Sequence, residues 1–185
     1  HTHLRDSVLF VIDFLHNLCV GRLELQTKIQ HKCSTLFDGL MPLMAKNMFF
    51  SDSTTLVSSR LFPSDSYSHF HVGTARRIAM LLSVLTNRHE GCTDLVQTSG
   101  CMAALMSGLN DCMDDTQPLD KFVQKEWSEC ITRTIENIVA RNLDAWTYCQ
   151  SVSGINGLFS LVFLGNNTIK KLVVTTMLDF VTGEK

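Results

Sequence analysis

Proline is scarce in this chain of 185 residues: there are three, beside ten glycines. Sandwiches and barrels of short strands need turn residues at close, regular intervals, so this shortage disfavours them. An excess of charge of one sign is also missing. Sixteen Lys and Arg face eighteen Asp and Glu, a formal net charge of −2, which argues against a dedicated surface for nucleic acid or anionic membrane. Long hydrophobic runs are absent too. The run Val8–Ile12 is broken by Asp13, and Ile155–Leu164 contains Asn156. Both fall far short of the roughly 20 apolar residues that a membrane-spanning helix needs, and no signal-peptide pattern opens the chain.

Paired cysteines are missing as well. Cys19, Cys33, Cys92, Cys101, Cys112, Cys130 and Cys149 are odd in number, widely spaced and contain no CxxC. They read as buried free thiols in a reducing compartment, cytoplasm or nucleus. In that setting the sequon Asn166-Asn167-Thr168 is a chance match. The chain starts at His1 and is expected to be a fragment of a longer protein.

Catalytic signatures are lacking. There is no G-x-S-x-G, no Gly-rich phosphate loop, no G-x-G-x-x-G and no H-E-x-x-H, and each of these patterns carries a definite chemistry. His31 beside Cys33, and His69 beside His71, do not amount to the paired clusters a tetrahedral zinc site requires. Asp111, Asp114, Asp115 and Asp120 lack calcium-loop spacing and read as a solvated loop. Arg76-Arg77 and Lys170-Lys171 have no stacking aromatics nearby to suit nucleic acid. Trp127 and Trp146 read as packing residues. No enzyme activity, cofactor or metal is expected; a helical enzyme using Cys or His stays as an alternative.

What the chain does have is helical periodicity in a composition that is 45% hydrophobic, which is ordinary for a folded domain. Val8, Val11, Ile12, Leu15, Leu18 and Cys19 recur at spacings of three and four, one face of a helix. So do Ile78, Leu81, Leu82 and Leu85; Ile131, Ile135, Ile138 and Val139; and Leu172, Val173, Met177, Phe180 and Val181. Gly157–Gly165 is rich in β-formers, but its place after Ser153-Gly154 favours a helix. The hydroxyl-rich stretch near 51–69, with Pro63, and the acidic stretch near 110–120, with Pro118, read as inserted loops within one domain spanning 1–185.

The segments also repeat. At an offset of 54, Ser99 and Gly100 fall on Ser153 and Gly154, Leu81 on Ile135 and Leu85 on Val139. At 67, Leu15 falls on Leu82 and Gln30 on Gln97. Phe14–Cys19 and Ile135–Ala140 look like the A-L-x-N-I-A run of the armadillo repeat, and Ser99–Leu105 and Ser153–Leu158 like its x-G-A-I-P-x-L run. The chain therefore resembles the armadillo family, a three-helix unit of about 42 residues. The resemblance implies an all-α, right-handed α-solenoid. Third helices would lie near 5–20, 72–87, 122–140 and 168–182. First helices would lie near 23–31, 89–98 and 142–151, and second helices near 34–46, 100–110 and 153–164. Both leading and trailing helices are strongly apolar, so neither end is capped.

The resemblance further implies a non-enzymatic scaffold that binds a partner peptide or helix in a concave groove or at an exposed repeat end. In that family an Asn on each third helix bonds the ligand backbone, and a Trp one turn earlier supports its side chains. Asn17 and Asn137 match the Asn; Val84 and Asp179 stand at the equivalent places. The Trp places hold Asp13, Met80, Arg133 and Thr175. With the Trp array absent, a receptor for nuclear-localisation peptides is not implied. Homo-oligomerisation through the repeat ends is the structural alternative.

Overall fold

The computed structural model describes residues 2–32, 35–36, 64–87, 93–94, 101–112, 121–152 and 155–182. Among the described residues every regular element is an α-helix: α1 (Thr2–Cys19), α2 (Leu23–Lys32), α3 (Ser64–Leu85), α4 (Cys101–Cys112), α5 (Lys121–Arg141), α6 (Asp144–Val152), α7 (Ile155–Leu164) and α8 (Asn167–Thr182). The all-α expectation and the four long helices are observed. Gly157–Gly165 is helical to Leu164, as its context predicts.

Local chemistry sets the boundaries. Gly21 takes φ 67°, a left-handed turn that ends α1 and lets Arg22 N–H reach the Cys19 carbonyl at 3.1 Å. Asn142 Oδ1 accepts from Asp144 N–H at 3.0 Å as α6 begins. Asn166 Oδ1 accepts from Ile169 N–H at 3.0 Å and caps α8.

Two loop expectations are shortened. Helix α3 starts at Ser64, directly after Pro63, so 64–69 belong to a helix; Ser and Asp suit a helix start as well as a loop. Helix α4 runs on to Cys112, because Asn110 and Cys112 are engaged by packing that the polar sequence conceals. Cys112 is fully buried, and Asn110 Oδ1 accepts from Gly157 N–H at 2.7 Å. The remainders of both loops, 51–63 and 113–120, lie outside the described residues, as do most of the helices expected near 34–46 and 89–98.

Helix α3 lies between α1 and α5 and packs against both. Helix α4 packs on α5, α6 and α7, and α7 on α8. The core follows these contacts. Ile78, Leu81, Leu82 and Leu85 of α3 meet Ile131, Ile135 and Ile138 of α5, with Met102, Leu105, Met106 and Leu109 of α4 behind them, all fully buried. Trp127 and Trp146 are buried as expected. So are Cys19, Cys101, Cys112 and Cys149; Cys130 is half-buried.

Burial can be set against the expected repeat offsets. At the expected offset of 54, buried Ala79 and Thr86 would fall on exposed Arg133 and Ala140. At 53 they fall on buried Thr132 and Val139, and Ile78, Leu82 and Leu85 fall on Ile131, Ile135 and Ile138. A helix turns about 100° per residue, so one residue of slip decides which face is inside. At the expected offset of 67 between α1 and α3, buried Ile12 and Cys19 fall on buried Ala79 and Thr86, while exposed Val11 and Phe14 fall on buried Ile78 and Leu81.

Three apolar residues counted on core faces are in fact outside. Val11, Phe180 and Val181 are exposed. Apolar spacing identifies a helix face but does not distinguish a covered face from an open one.

Candidate interaction surface

The eight residues assigned to the groove are all at least partly open to solvent. Asn17, Arg133 and Thr175 are exposed; Asp13, Met80, Val84, Asn137 and Asp179 are half-buried. On each long helix the two residues stand four apart and so share a face. Because α3 lies between α1 and α5, Asp13 and Asn17, Met80 and Val84, and Arg133 and Asn137 stand on three neighbouring helices. Helix α8, which carries Thr175 and Asp179, packs chiefly on α7. These two residues are not brought into the same row by extensive α5–α8 packing.

The side chains of two of the eight, Asp13 and Asn137, already bond to other helices. Asp13 Oδ2 accepts from Arg77 Nε at 3.0 Å and ties α1 to α3. Asn137 Nδ2 donates to the Ser83 carbonyl at 3.4 Å and to Thr86 Oγ1 at 3.1 Å. Its amide therefore joins α5 to α3. Gln26 of α2 does the same from the other side, donating to the Val84 carbonyl at 2.9 Å.

The basic pair is likewise internal. Arg77 holds Asp13, and Arg76 pairs with Glu126 of α5. Both guanidiniums tie long helices together.

Burial holds three of the described thiols in the protonated form. Burial pushes the Cys149 thiol from the ordinary 9.0 up to about 12. Burial also raises Cys19. Cys130 is raised by burial, which outweighs the opposing effect of Arg133. A thiol held protonated is a poor nucleophile and a poor metal ligand. Among the described residues no three His, Cys, Asp or Glu side chains converge on a point that suits a metal ion, and no helix is long and apolar enough to cross a membrane. The side chains of His69, His71 and Asp111, and all of Cys33, Cys92, Asp114, Asp115 and Asp120, lie outside the described residues.

Several large apolar side chains are open to solvent among the described residues. On α1, Phe10 is 69% exposed, and Val11 and Phe14 are about half exposed on the same face. The Phe10 and Phe14 rings stack with centroids 6.3 Å apart. On α8, Val174, Leu178 and Val181 form an open stripe at spacings of four and three, and Phe159 and Phe163 of α7 are also open. Single exposed apolar residues are ordinary, whereas grouped ones mark contact surfaces. The sequence signal was present in the strongly apolar first and last helices, but it did not single out these residues.

Comparison with family models, with curated proteins and with solved structures returns no match for this chain.

Proposed function

We propose that this chain is a non-enzymatic helical interaction module, a stack of armadillo-like repeats that holds another protein. The observation that carries the reading is the pair of open apolar helix faces, Phe10-Val11-Phe14 on α1 and Val174-Leu178-Val181 on α8. Burying such side chains contributes about 1.5–3 kcal/mol each, enough for a few of them to anchor a partner. The row formed by Asn17, Met80, Val84 and Arg133 supplies a second, mixed surface whose polar groups would set orientation. A cytoplasmic or nuclear setting belongs to the same reading and is supported by the free, protonated thiols.

Capture from lysate, read by mass spectrometry, tests the reading and locates the site. We expect Phe14→Asp to lose a partner that Asn17→Ala with Arg133→Ala retains. Loss in the second variant alone moves the site to the groove row. Equal capture by both variants removes both surfaces and the reading with them.

A further inference from the structure

We draw no further inference here: the strongest candidate, the open apolar stripe of Val174, Leu178 and Val181 along α8, carries nothing beyond the reading above, because nothing in the structure shows what covers it.

Discussion

Asn137 of α5 donates one side-chain amide to α3, to the Ser83 carbonyl and the Thr86 hydroxyl, while Thr86 itself donates to the Leu82 carbonyl at 2.8 Å. A residue placed in the groove by sequence is thereby a tie between two helices. Asn137→Ala should lower stability by about 1–2 kcal/mol, since it leaves buried acceptors short of a donor. Asn17→Ala, at an exposed position, should change stability by less than about 0.5 kcal/mol. Urea denaturation of the two variants separates the roles.

At Gly157, α7 comes close to α4. A Cβ there would meet Asn110 Oδ1 at 2.9 Å and Met106 Cε at 3.3 Å, and the Gly157 N–H is already held by that same Asn110 oxygen. Gly157→Ala should therefore cost about 1–3 kcal/mol through overpacking, visible as a lowered Tm. Gly73→Ala is the control, because its Cβ would meet only Arg77 Nη1 at 3.5 Å, and it should be neutral or slightly stabilising in a helix.

The Asp13–Arg77 pair joins α1 to α3 at 3.0 Å but is 47% and 27% exposed. Solvent screens such a pair, so Asp13→Asn should cost less than about 1 kcal/mol, and the difference should shrink in high salt. Parallel melts at low and high ionic strength check this.

Alkali should destabilise the fold. The Cys149 thiol is raised by burial from 9.0 to about 12. Between those values the unfolded thiol loses its proton while the folded one keeps it, so stability present below about pH 9 falls as pH rises toward 12. Cys149→Ala should flatten that part of the stability profile, at the cost of a small cavity at all pH values. The same burial predicts that Cys149 resists alkylation until the chain unfolds.

The helical class was legible because the core faces keep strict spacing: Ile78, Leu81, Leu82 and Leu85, and Ile131, Ile135, Ile138 and Val139, all came out buried. Helix ends were less legible. Ser64 and Asn110 are as much at home in a loop as at a helix end, and only packing and capping decide. The site was least legible. Asp13 and Asn137 carried the polar character of ligand-facing residues, but their partners, Arg77 and Ser83, stand 64 and 54 residues away, beyond what periodicity can report. Val11 and Val181 looked like core because an open apolar face and a covered one have the same spacing.

The position of α3 has a consequence for how the molecule opens. Its last turns are held by Gln26 from one side and by Asn137 from the other, and its middle lies between α1 and α5. Its amides can exchange with solvent only when both neighbours have let go, so their exchange rates should report global unfolding. Helix α8, open along one whole face, should exchange earlier, by local detachment. The slowest protons among the described residues then lie in the C-terminal half of α3, and those of α8, which presents Leu178 and Val181, exchange sooner than they do.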